Sequence, residues 1–236
     1  MANNSGAGLD VTVGGPSELG TAGSTPRGWV VERLGGGAGA LHARRLPSPA
    51  LRTATFLDVE APALVLGSTQ PDVAGAARRR SGGGAVWVAP GDQVWVDVVV
   101  PARDPLWSDD VGQAFGWLGD VWAAALTSLG VEGLTVHRGP LVTTRWSGDV
   151  CFAGLGPGEV TVEGRKVVGM AQRRTREWAL FQCAVPLVWD PSPVVSMLGL
   201  PDEAVDDLAS AGYPLGPLGL GEDDVESAFI AALPPA

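Results

Sequence analysis

The sequence predicts a mixed α/β fold of the α+β type, in which mainly antiparallel sheets are flanked by helices. Three observations carry that expectation. With Gly 34 and Pro 19 among 236 residues, the chain has more turn-forming positions than an all-helical bundle accommodates. Short apolar runs, alternating or continuous, recur at strand length, and one segment has a clear helical period. A hydrophobic content of 45% supports a sizeable core and excludes disorder throughout.

The elements follow in order. Residues 1–27 are rich in Gly, Ser, Thr and Asn and read as a flexible arm with one short strand near Val11, which leaves residues 28–236 as a single domain. Pro62 to Gly67 is a short apolar run closed by glycine, the pattern of a buried strand. Gly82 to Val100 reads as two strands forming a hairpin at Ala89-Pro90-Gly91-Asp92, with Val94, Val96, Val98 and Val100 on one face. Ser108 and Asp109 can cap a helix whose apolar positions Val111, Phe115, Leu118, Trp122 and Leu126 recur at helical spacing before Gly130. Val160 and Val162 precede Glu163-Gly164, and Val167-Val168 follow it, so a tight hairpin places Lys166 across from Thr161 on the same face as Val168. A strand from Ala179 to Trp189 comes next. Pro-rich turns then lead to two short acidic helices, near Asp202 to Ala209 and Asp223 to Leu233.

Charge narrows the function. Sixteen cations against 26 carboxylates give a net charge of −10, which disfavours nucleic acid as a partner. No apolar run approaches the roughly 20 residues of a membrane helix, and the first residues lack a basic segment followed by an apolar one. A cytoplasmic protein without a membrane partner is the expectation. Cys151 and Cys183 are too few for a disulfide framework, and no His/Cys/Asp cluster around His42 or His137 has metal-ligand spacing, so no protein metal site is expected.

Two segments carry chemistry. Arg78-Arg79-Arg80 leads into Ser81-Gly82-Gly83-Gly84-Ala85-Val86, where a backbone without side chains can approach a ligand and offer N–H groups, beside Arg79, to an anion. No Gly-Lys-Ser/Thr follows, and the loop feeds a strand, which excludes a P-loop and a dinucleotide fingerprint. The second segment, Gly164 to Arg174, holds Lys166, the one lysine among the cations and a compact, partly exposed point charge that guanidinium cannot replace.

Together these segments resemble the biotin/lipoate protein ligase and octanoyltransferase family, closest to lipoate-protein ligase A-like proteins. Arg78 to Val86 is similar to its Arg-Arg-x-Ser-Gly-Gly-Gly-Ala-Val loop, and Gly164 to Arg174 to its strand ending Gly-x-Ala-Gln-Arg-Arg. Leu66 to Pro71 resembles the family's strand ending in Gly-x-x-Gln. The resemblance implies a ligase-like catalytic domain that attaches a lipoyl or octanoyl group, through an acyl-adenylate, to a lysine of a lipoyl carrier domain. It makes Lys166 the residue contacting the acyl carboxylate and the phosphate. Arg79, Ser81, Gly82, Gly83, Gly84, Ala85, Val86, Trp87, Gly169 and Ala171 would bind substrate or adenylate. ATP with magnesium would be required, and the carrier would be a glycine cleavage H protein or a 2-oxoacid dehydrogenase E2.

The departures point elsewhere within the family. Val88-Ala89-Pro90-Gly91-Asp92 stands where the ligases have His-Asp-x-Gly-Asn, and Gln182-Cys183-Ala184 where they have Gln-His-Gly. Cys151-Phe152, upstream of the Lys166 strand, resembles the nucleophile pair of cysteine-dependent octanoyltransferases. That branch takes octanoate from acyl carrier protein as a thioester and needs no ATP. A third reading is a non-catalytic member that binds an acyl or lipoyl ligand. Cys183, in an apolar strand, reads as a buried and inert thiol.

Overall fold

A computed structural model describes residues 27–46 and 51–235; most of the expected arm, including the strand near Val11, lies outside them. The strands are β1 (Trp29–Gly36), β2 (Arg52–Val59), β3 (Ala63–Leu66), β4 (Ala77–Arg78), β5 (Val86–Val88), β6 (Gln93–Pro101), β7 (Leu134–Val136), β8 (Val160–Val162), β9 (Arg165–Arg174) and β10 (Trp178–Pro186). The α-helices are α1 (Ala38–Ala43), α2 (Gly116–Ser128), α3 (Ser192–Leu198), α4 (Glu203–Leu208) and α5 (Glu222–Ala232). Seven strands form one sheet in the order β1-β2-β6-β10-β9-β8-β7, and a small sheet has the order β4-β3-β5. In the large sheet β1 and β2 are parallel and every other pair is antiparallel, as the sequence led one to expect.

One face of the large sheet carries the main core. Val94, Val96, Val98 and Val100 of β6 lie in it, as alternation requires, packed with Leu118, Trp122 and Leu126 of α2 and Val225 and Phe229 of α5. Trp122 stacks on Phe229 with ring centroids 4.2 Å apart. The opposite face of β6 presents Trp95, which packs with Val65 of β3 and Val88 of β5 in the small sheet. The space between the two sheets is where the candidate site forms.

Several sequence expectations change. The Ala89–Asp92 turn exists, with Gly91 at φ 78°, but β5 and β6 do not pair with each other. β5 joins β3, and β6 is taken by β2 and β10. A turn sequence fixes a reversal and says nothing about which sheet each arm enters. The main helix starts later than expected: Asp110 Oδ1 accepts from the amides of Gly112 and Gln113, a 3₁₀ turn over Gln113–Phe115 follows, and Val111 is exposed. Ser192–Leu198 is helical where only turns were expected, because Pro193 sits in its first turn, where a missing N–H costs nothing.

Candidate functional site

Lys166 is set by the tight turn. Glu163 (φ 51°) and Gly164 (φ 79°) adopt the left-handed conformation that a two-residue hairpin requires, and Thr161 pairs with Lys166 as predicted. A register shift between Val160 and Thr161 then places both Val167 and Val168 in the main core, so Lys166 does not share a face with Val168 as expected. The Lys166 amide donates to the Ala211 carbonyl and its carbonyl accepts from Tyr213, which pins the residue on its other side. Its amine is not partly exposed. The side chain is 3% exposed, and Nζ lies 2.7 Å from Glu159 Oε2 and donates to the Cys151 carbonyl at 2.8 Å. Burial follows because the C-terminal segment around Gly212 lies alongside β9, a contact far away in sequence.

The glycine loop is built by close approach. A Cβ on Gly67 would sit 1.8 Å from the Gly83 carbonyl oxygen, and one on Gly84 would sit 2.7 Å from the Val150 carbonyl carbon. Gly83 has φ 94°. The amides of Gly82, Gly83 and Gly84 make no hydrogen bond among the described residues, which leaves three donors available. Arg79 is spent on the loop itself: its guanidinium donates to the carbonyls of Gly82 (2.8 Å) and Gly84 (2.7 Å) and is almost fully buried. Burial pulls its pKa down, opposed by the nearby Cys151 sulfur. Ser81 Oγ donates to Gln182 Oε1 at 2.7 Å, so Ser81 ties the loop to β10. At the end of β3, Gln70 Oε1 accepts from the Gly67 amide, and its Nε2 donates to the Asp149 carbonyl at 2.9 Å.

Cys151 joins the two motifs. Its amide donates to the Ala85 carbonyl at 2.8 Å and its carbonyl receives Lys166 Nζ. Three cavities meet around Phe152. One, between the sheets, is lined by His42, Arg79, Val86, Val88, Trp95, Cys151, Gly169, Met170, Ala171 and Gln182. A second, of about 150 Å³, is walled by Ala85, Val86, Trp87, Ala184 and Trp189. The third, of about 450 Å³, holds Lys166 with Thr161, Gly164, Arg145 and Asp207. Lys166 thus lies behind the Phe152 ring, Nζ 5.4 Å from its centroid, while Arg79, Ala85, Val86 and Cys151 line the other cavities and Gly82, Gly83 and Gly84 line none of the three.

Sequence reasoning missed two residues here. His42 stacks on Trp95 (4.4 Å between centroids) and lines the cavity between the sheets. Burial, with help from Arg79 and then Arg44, lowers its pKa to about 3, so it is neutral. Glu159, the partner of Lys166, is the second. Its signal was a carboxylate two residues before Thr161, just ahead of the strand that faces Lys166. Cys183 is buried and its thiol is pushed up to about 12 by that burial, which makes it inert.

Residues 52–213 match the family model of the lipoyl protein ligase A/B catalytic domain. The chain belongs to that family. No curated protein matches it in sequence. Among solved structures it is similar to lipoate-protein ligase A bound with ATP, with TM-score 0.58 and 17% identity over 79% of this chain and 73% of that one. It is likewise similar to the bipartite lipoate protein ligase of Thermoplasma acidophilum solved with its E2 lipoyl domain, with TM-score 0.58 and 19% identity over 77% and 69% of the two chains. A further T. acidophilum structure, with bound lipoic acid, gives TM-score 0.56 and 16% identity over 77% and 70%. At these identities the likeness is one of fold: a lipoate-protein-ligase-like catalytic domain.

Proposed function

We propose that this domain transfers a lipoyl or octanoyl group to a lysine of a lipoyl carrier domain, after activating the free carboxylate as an acyl-adenylate. One observation carries the reading. Cys151 is bonded through its amide to the end of the glycine loop and through its carbonyl to Lys166, so the two motifs of the family converge on one residue. The amides of Gly82–84, unpaired among the described residues, are donors suited to carboxylate and phosphate oxygens, and the Lys166 ammonium lies across the Phe152 ring, held by Glu159 and the Cys151 carbonyl. Trp87 and Trp189 wall an apolar slot that suits an acyl chain or a base.

ATP, as co-substrate, supplies the adenylyl group; the carboxylate oxygen bonds to the α-phosphorus and pyrophosphate departs. These donors fit that chemistry, whereas magnesium finds no cluster of three or more His, Cys, Asp or Glu among the described residues and would be held mainly by the phosphates. In the second half the neutral amine of the carrier lysine attacks the acyl carbonyl, an amide forms and AMP leaves. The loop amides stabilise the oxyanion of that step, and Phe152 and the Trp walls exclude water from it. The measurement is exchange of labelled pyrophosphate into ATP. Exchange that requires lipoate or octanoate supports the adenylate, and its absence with both acids refutes that route.

A second reading has its own observation. Cys151 lines the cavity between the sheets, beside Arg79 and His42, and this cavity shares Val86, Phe152 and Ala184 with the apolar slot. There its thiolate would take octanoate from octanoyl acyl carrier protein, releasing the carrier thiol, and pass it to the carrier lysine. A mass increase of one octanoyl group on Cys151, after mixing with octanoyl acyl carrier protein, is the signature of this route. The non-catalytic reading predicts ligand binding with neither signature.

A further inference from the structure

Glu159 joins three parts of the site through one carboxylate. It is 4% exposed, and both its carboxylate oxygens are used. Oε2 accepts from the Gly156 amide at 2.6 Å and pairs with Lys166 Nζ at 2.7 Å; Oε1 accepts from the Met170 amide at 2.9 Å. One carboxylate therefore fixes the lysine amine and, through Met170, the stretch of β9 in which Gly169, Met170 and Ala171 line the cavity between the sheets. Two backbone amides orient the carboxylate, so it is a rigid partner and not a mobile surface counter-ion.

We propose that Glu159 is the positioning residue of the transfer reaction. It holds the Lys166 ammonium against the Cys151 carbonyl and supplies the counter-charge that lets a lysine sit buried beside an apolar ring. This rests on the acyl-transfer reading above. Glu159 itself touches no cavity that would take the acyl chain; it acts through Lys166 and β9. An amine that loses its ion partner is also free to swing into the cavity it shares with Thr161 and Gly164, where a reagent reaches it.

Two substitutions separate charge from shape. Glu159→Gln keeps the size and one acceptor and removes the charge; Glu159→Asp keeps the charge and shortens the reach. Lys166 is the one lysine of the chain, so its acetylation by an amine-reactive ester is read on the Lys166 peptide by mass spectrometry, apart from the N-terminal amine and without reference to activity. The proposal expects Glu159→Gln to label at least tenfold faster than wild type and to lose at least thirtyfold in kcat, and Glu159→Asp to label within threefold of wild type with intermediate kcat. Loss of activity in Glu159→Gln with unchanged labelling would mean a merely structural role and overturn the proposal, as would faster labelling with unchanged kcat. Should Glu159→Gln fold poorly, Glu159→Gln combined with Lys166→Met removes both charges and is expected to regain most of the lost Tm; no recovery overturns the pairing. If wild type transfers no acyl group, the functional reading fails, while labelling still decides whether Glu159 restrains the lysine.

Discussion

Replacing Gly84 by Ala adds one carbon where the chain leaves no space for it. That carbon would lie 2.7 Å from the Val150 carbonyl carbon and 2.8 Å from the Cys151 nitrogen, and both neighbours are backbone. To reach ordinary contact the 150–151 segment must retreat by more than half an ångström, against the Ala85–Asp149 and Cys151–Ala85 hydrogen bonds of 2.7 and 2.8 Å. Overpacking of this kind costs about 1–3 kcal/mol. At about 2–4 °C per kcal/mol for a domain of this size, Tm should fall by roughly 2–12 °C. The functional loss should be larger than the stability loss suggests, because the displaced peptide leads directly into the Cys151 carbonyl that receives Lys166, and misplacement approaching 1 Å costs on the order of 100-fold in rate. Gly82→Ala is the control for stability, since its added carbon meets nothing within 4 Å. Thermal melting and acyl transfer are measured on both variants. Wild-type Tm and activity in Gly84→Ala would refute the claim that this contact holds the site together.

Other perturbations follow from the same geometry. Lys166→Ala should abolish transfer and also destabilise the fold by about 3–5 kcal/mol, because it leaves the Glu159 carboxylate buried and unpaired; calorimetry showing no destabilisation would contradict the pairing. Lys166→Arg should fail as well, since a planar fork does not fit between Glu159 and the Cys151 carbonyl. Cys151→Ser should leave ATP-dependent lipoylation near wild type and abolish transfer from octanoyl acyl carrier protein, so the two routes separate in one variant. His42 gives a pH signature. Unfolded histidine takes up a proton near 6.5 and the folded residue only at about 3, so stability is lost as pH falls through that window. In His42→Gln the dependence of Tm on pH between 6.5 and 3 should flatten, and an unchanged slope would show that other groups dominate it.

What the sequence disclosed and what it hid follow one physical division. Local chemistry was readable: Glu163-Gly164 dictated a tight turn and thereby the Thr161–Lys166 pairing. The glycine run, read as an approach to a ligand, brings Gly84 against the chain's own backbone at Val150 and Cys151. Non-local partnership was not. The Ala89–Asp92 turn looked like a hairpin because both arms alternate, yet β5 and β6 enter different sheets. Lys166 was read as partly exposed because nothing near it in sequence says that the Gly212 segment covers it. Arg79 was assigned to an anion from its charge and to substrate or adenylate from the resemblance; in the structure it lines the cavity between the sheets, with its guanidinium donating to the Gly82 and Gly84 carbonyls, an engagement that charge does not announce. His42 and Glu159 gain their significance only from the elements that fold over them.

The central claim is that the glycine loop and Lys166 form one acyl-transfer site. Intact mass spectrometry of an apo lipoyl domain, incubated with the protein and either ATP and lipoate or octanoyl acyl carrier protein, tests it most directly. The account predicts a gain of one lipoyl or octanoyl group on the acceptor lysine with wild type and none with Lys166→Ala. An unmodified acceptor with both donors, or equal modification by the Lys166→Ala protein, would contradict it.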